Sequence, residues 1–254
     1  PEIRAWDTLN DNEKELYARQ MEALAGQLAY CDYEFGRILD YLERIGELDN
    51  TLVLFTSDNG ASGEGGLHGT FNENGFFNGV SNMPNEFNNQ YINEWGNRVG
   101  VWHVTAGWTM AGNTPFKYYK QSAHRGGNAD PLVISWPAGI PEQFHGQIRT
   151  QYSHIIDIAP TILEATGVEA PKVIDGHEQM PFDGIALNYT FENPDAPAKR
   201  TVQYYELFGN RAIYADGWTA VTLHRNKRPW VLTAEGTLDD DVWELYNLAE
   251  DFSQ

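Results

Sequence analysis

Between residues 11 and 45, apolar side chains recur every third or fourth position: Met21, Leu24, Leu28, Cys31, Phe35, Ile38 and Leu42. That period predicts one long amphipathic helix. Asp11 and Glu13 suit the positive end of its dipole, and Gly46 suits a left-handed stop. Cys31 lies on the stripe and is expected to be a small buried hydrophobe. A different pattern follows. Residues 51–56 (TLVLFT) form a short continuous apolar run, which predicts a strand buried on both faces of a parallel sheet. The run ends in Ser57-Asp58-Asn59-Gly60. Polar residues just past the carboxyl end of such a strand sit where open α/β sheets place ligands.

Residues 61–112 are rich in Gly and Asn and carry no period, which predicts a long loop. Its Trp95, Trp102 and Trp108 argue that the loop is at least partly ordered. Residues 131–137 (PLVISWP) read as a second buried strand bounded by prolines. Residues 157–167 (DIAPTILEATG) read as a short helix, with Pro160 in its first turn and Gly167 at its end. After Arg200 the pattern becomes short strands at 202–208, 211–215, 218–223 and 242–246, separated by turn sequences, an antiparallel meander. The expected organisation is an α/β part over 1–200 and a small antiparallel β subdomain over 201–254.

Composition narrows the function classes. With 17 Lys and Arg against 36 Asp and Glu, the formal net charge is −19. Nucleic acids and anionic membranes are bound by basic faces, so neither is an expected partner. A hydrophobic content of 41% can fill a core, which excludes a disordered chain. The single cysteine allows no internal disulfide and no cysteine-based zinc site, and suits a bacterial cytoplasm or periplasm equally. No run is long and apolar enough to predict a membrane-spanning helix. Both ends read like the interior of a longer protein.

Two places hold candidate chemistry. Asp58 and Asn59 offer a carboxylate and an amide oxygen side by side, hard donors suited to Ca²⁺ or Mg²⁺, although the same residues are ordinary turn formers. Calcium takes six to eight oxygens, so further ligands must come from elsewhere. The second place is a charge anomaly. Residues 95–129 hold no acid, yet Arg98, His103, Lys117, Lys120, His124 and Arg125 lie there. An acidic protein that handles an anion needs such a local positive island; a solvated basic loop is the plainer alternative. Asp239-Asp240-Asp241 is expected to be a solvated acidic turn.

Taken in order, several segments resemble the sulfatase family, in particular bacterial arylsulfatases. They are 50–60 (NTLVLFTSDNG), 113–120 (NTPFKYYK) leading into His124-Arg125-Gly126-Gly127, 131–137, 157–167 and 243–248 (WELYNL). The resemblance implies an α/β, alkaline-phosphatase-like fold with a small C-terminal antiparallel sheet. It implies hydrolysis of sulfate esters, on a small molecule or a glycan, at a calcium-containing site. On the matching positions, Asp58 and Asn59 look like calcium ligands and Lys120 like the lysine that contacts the sulfate group. If residues 114–120 are extended, Lys117 and Lys120 point to opposite sides.

One departure shapes the expectation. Sulfatases use a formylglycine made in a C-x-P-x-R or S-x-P-x-R motif, and this chain has neither. The chain is therefore expected to be the C-terminal half of a sulfatase, with its own N-terminal half as partner and source of the formylglycine, and to be inactive alone. Two other functions compete: a phosphatase or phosphodiesterase of the same superfamily, and a non-catalytic carbohydrate-binding or interaction module using the Trp-rich loop.

Overall fold

The computed structural model describes residues 2–80, 82–226, 228, 230–231 and 235–254; Pro1, at the head of the opening stretch, lies outside them. Helix α1 (Asp11–Arg44) fills the span that the apolar period predicts, and β1 (Val53–Thr56) follows it. Four short helices come next: α2 (Asn74–Phe77), α3 (Asn85–Gln90), α4 (Ala106–Gly112) and α5 (Arg125–Asn128). Then come β2 (Leu132–Ser135), α6 (Ile158–Thr166) and a two-residue ladder of β3 (Val173–Ile174) with β4 (His177–Glu178). The chain closes with β5 (Val202–Leu207), β6 (Asn210–Ala215), β7 (Trp218–Thr222) and β8 (Trp243–Asn247). Among the described residues no helix is long and apolar enough to cross a membrane.

The chain divides into two compact units, one of 1–36, 59–130 and 204–254, the other of 37–58 and 131–203. In the first unit, Leu16 and Tyr17 of α1 pack with Phe71 and Trp95. Phe71 stacks on Tyr91 with centroids 4.5 Å apart. The Asn-rich stretch is thus not a bare loop. Its tryptophans and Phe71 are its ordering residues, and Trp95 is almost fully buried. Helix α4 has a cap that the sequence pattern did not reveal: the Thr105 hydroxyl accepts from the Trp108 N–H at 3.2 Å. The meander is a four-stranded sheet in the order β5-β6-β7-β8. Along β6, Ala212 and Tyr214 are buried while Ile213 is exposed, the period of two that one covered face requires.

In the second unit, α6 ends as its sequence predicts, with Gly167 at φ +67°. Asp157 is the unit's polar anchor. Its carboxylate accepts from the backbone N–H of His154 at 2.8 Å and of Ile185 at 2.7 Å. It also pairs with the Arg200 guanidinium through Nε at 3.2 Å and through Nη2.

Several expectations are corrected here. Strand β1 does not lie in a parallel sheet. It pairs antiparallel with β2, Val53 opposite Ser135 and Thr56 opposite Leu132, and Phe55 and Val133 are more than half exposed. Short apolar runs specify strands, but the sense of pairing depends on which segment the chain brings alongside. Cys31 is exposed, as are Leu28 and Ile38, because the buried residues of α1 (Glu13, Leu16, Tyr17 and Gln20) all lie near its N-terminus. Asp241 is not a solvated turn residue: its carboxylate, 1% exposed, accepts from Arg211 at 2.6 Å and contacts His224 Nδ1 at 2.8 Å. Asp239 and Asp240 do stay exposed.

Candidate functional site

The turn after β1 carries the first candidate pair. Asp58 is exposed and Asn59 is half-buried, its amide Nδ2 donating to the Gly60 carbonyl at 3.4 Å. The next two residues are fixed tightly. The Gly60 N–H donates to the Gly127 carbonyl, and a Cβ at Gly60 would lie 1.9 Å from the Gly126 carbonyl oxygen. Only glycine allows that approach of two backbones. The Lys120 N–H donates to the Ala61 carbonyl at 3.0 Å, so Lys120 is pinned two residues after Asn59 in this layout. The sequence residues Asn59, Lys120 and Gly126-Gly127 are therefore brought together.

The route from 114 to 120 is a series of turns, not an extended strand, with Tyr118 at φ +62°. The two lysines nevertheless part company. The Lys117 ammonium pairs with Glu244 and donates to the Tyr246 hydroxyl at 3.0 Å, both on β8. The Lys120 ammonium donates to Glu64 Oε2 at 2.9 Å. Glu64 is buried and also accepts from Gln121 Nε2 at 2.6 Å and Ser62 Oγ at 3.0 Å. Burial pushes its pKa up, but the hydrogen bonds from Lys120 and Gln121 outweigh burial and hold it below the usual range, so Glu64 is a carboxylate at neutral pH. Sequence patterning passed over Glu64. The signal available was a lone acid inside a Gly-rich run, Gly63-Glu64-Gly65-Gly66.

The positive island is thus not a bare cationic surface, because acids from outside the window reach two of its lysines. Arg125 lies over the Phe116 and Phe252 rings, 5.2 and 4.6 Å from their centroids. The neighbouring His124 is fully buried, its Nε2 3.4 Å from Glu244 Oε1. Burial lowers its pKa to about 4, outweighing the opposite pull of Glu244 and joined by the Lys117 charge. The unfolded ring takes a proton near pH 6.5, the folded one only near 4, so stability is lost as pH falls through that window. At pH 4.5 the loss amounts to about 2–3 kcal/mol. Denaturant unfolding at pH 7 and 4.5 should show the wild type losing more stability than His124→Gln by about that amount; equal losses would refute the neutral buried ring.

The donors present suit calcium in kind but not in number. Asp58 and Asn59 contribute a carboxylate and an amide oxygen, two of the six to eight that the ion takes.

A family model described as Sulfatase matches residues 4–168. An uncharacterised sulfatase of Schizosaccharomyces pombe is 30% identical over 98% of this chain and 41% of that protein. The arylsulfatase of Klebsiella aerogenes is 27% identical over 81% of this chain and 41% of that protein. The chain thus spans about two fifths of the length of these curated relatives. A solved structure from a study of glycosaminoglycan metabolism by Bacteroides thetaiotaomicron superposes with a TM-score of 0.54 at 19% identity, over 88% of this chain and 38% of that one. That likeness agrees with the α/β, alkaline-phosphatase-like fold class expected from the sequence.

Proposed function

The chain belongs to the sulfatase family, and from that premise we propose that the complete protein is a sulfuric ester hydrolase of the arylsulfatase type. In it, this chain supplies Lys120 to the sulfate group and Asp58 and Asn59 to a calcium ion. The observation that carries the assignment is the Lys120-to-Ala61 backbone bond, which holds the lysine beside the turn that follows β1.

Hydrolysis of a sulfate ester builds negative charge on the sulfuryl and leaving oxygens. An ammonium held in place stabilises that charge without reorganising. Lys120 is a compact point charge on a flexible stem, and Glu64 limits where that stem swings. Asp58 would hold the calcium ion by charge and Asn59 by a neutral oxygen; when bound, the ion polarises an oxygen of the ester. The formylglycine nucleophile and the remaining calcium ligands belong to the N-terminal half, which is this chain's partner. The exposed Phe55 and Val133 on β1 and β2, and Leu28 on α1, support the presence of further covering polypeptide. The substrate is a sulfated small molecule or glycan.

The test is turnover of chromogenic aryl sulfate and aryl phosphate. The complete protein is expected to hydrolyse the sulfate, to lose activity on chelation and to regain it with calcium, while the 254-residue chain alone is inactive. Turnover by the purified short chain would remove the need for an N-terminal partner. Activity indifferent to chelation and to Asp58→Ala would remove the calcium assignment. A preference for the phosphate ester would favour a phosphatase of the same superfamily.

A further inference from the structure

A second cluster of donors lies in the first unit, apart from Asp58 and Asn59. Residues 70–73 and 101–103 run side by side: the Thr70 N–H donates to the His103 carbonyl at 2.9 Å, the His103 N–H to the Thr70 carbonyl at 2.7 Å, and the Glu73 N–H to the Val101 carbonyl at 2.6 Å. This pairing sets Glu73 and His103 on adjacent backbones. The turn carrying Glu64 closes on them, because the next residue is glycine. A Cβ at Gly65 would lie 2.3 Å from the Val104 carbonyl oxygen and 3.1 Å from His103 Nδ1. As a result, one ligand atom each from Glu64, Glu73 and His103 lie within 4.8 Å of one another.

The three side chains differ in how far their hydrogen bonds are already used. Glu64 Oε2 accepts from the Lys120 ammonium at 2.9 Å. The Glu73 carboxylate, half-buried, makes no hydrogen bond or ion pair among the described residues. The Nδ1 of His103 is buried and makes no hydrogen bond among the described residues. Two glutamate side chains and an imidazole thus converge, with the Lys120 ammonium on one of them. Glu64 keeps capacity for a cation: among the described residues Oε1 receives a hydrogen bond from Gln121 alone, and a carboxylate oxygen has two acceptor sites.

We propose that Glu64, Glu73 and His103 form a binding site for a divalent transition metal of the zinc class, distinct from the Asp58–Asn59 pair. The imidazole nitrogen decides the class. Calcium and magnesium take oxygen ligands, whereas zinc takes imidazole nitrogen with carboxylate oxygen and is held by three protein ligands with one position open to water. Ligand atoms around zinc lie about 3.4 Å apart for bonds of about 2.0–2.1 Å, so small rotations of the two glutamates would close the shell.

The test is zinc titration of the tag-free protein by calorimetry with calcium in excess, followed by cobalt substitution. One saturable zinc site is expected, unaffected by Asp58→Ala and weakened at least about tenfold by Glu73→Gln and by His103→Ala. The cobalt form should show the intense visible absorption of a four-coordinate site, lost in Glu73→Gln. Far-UV circular dichroism identifies a variant that has lost its fold; the isosteric Glu73→Gln then carries the test in place of His103→Ala. Absence of saturable zinc binding, displacement of zinc by calcium, or affinity unchanged in folded Glu73→Gln would overturn the site.

Discussion

Replacing Lys120 with alanine in the complete protein is expected to lower kcat/KM for an aryl sulfate by about 30- to 1000-fold, or roughly 2–4 kcal/mol of transition-state stabilisation. The loss should fall mainly on kcat, because charge on the sulfuryl oxygens grows in the transition state. The same change removes one partner of Glu64, so a stability measurement must accompany the kinetics. Lys117→Ala is the matched control. Its ammonium is committed to Glu244 and Tyr246, so its removal should appear in the stability of the β8 attachment and cost less than about tenfold in kcat/KM. A crippled Lys117 variant beside a nearly silent Lys120 variant would withdraw the sulfate contact from Lys120.

The second large effect is structural. Asp157→Ala should destabilise the protein by about 3–5 kcal/mol. The side chains of Asp157 and Arg200 are 1% and 9% exposed, so alanine leaves a guanidinium buried and unpaired. It also strips the acceptor from the N–H groups of His154 and Ile185. Arg200→Ala leaves the carboxylate with its two backbone donors and should cost less. Urea unfolding with an unchanged m-value reads the difference directly. A loss under about 1 kcal/mol for Asp157→Ala would mean that water enters and replaces the pair.

The candidate site was legible in part. Asp58, Asn59 and Lys120 stand out because family resemblance attaches roles to short motifs, and the structure sets Asn59 and Lys120 on neighbouring backbones through Ala61. Glu64 was not legible. It lies 56 positions from Lys120, inside glycines that carry no period, and only the closed turn makes it the lysine's partner. Glu73 and His103 were separated in the same way, the one unremarked in an Asn-rich stretch, the other counted in a basic window. Local composition counts charges within a window, and it did not show that two of the island's lysines pair with Glu64 and Glu244, which lie outside it.

Sequence by itself determined what depends on neighbours along the chain. The 3.6-residue period made α1, the αL-tolerant Gly167 ended α6, and alternation broken by turn residues made the four strands of the meander. These outcomes rest on backbone dihedrals and steric preferences within a few residues. Tertiary structure alone decided the sense of the β1–β2 pairing, the exposure of Cys31, the burial of Asp241 and His124, and the carboxylate that each lysine meets. Each of these depends on which distant segments the fold brings together or leaves apart. The energies of the burials and ion pairs exist only after folding has brought those segments together, and no local pattern records them.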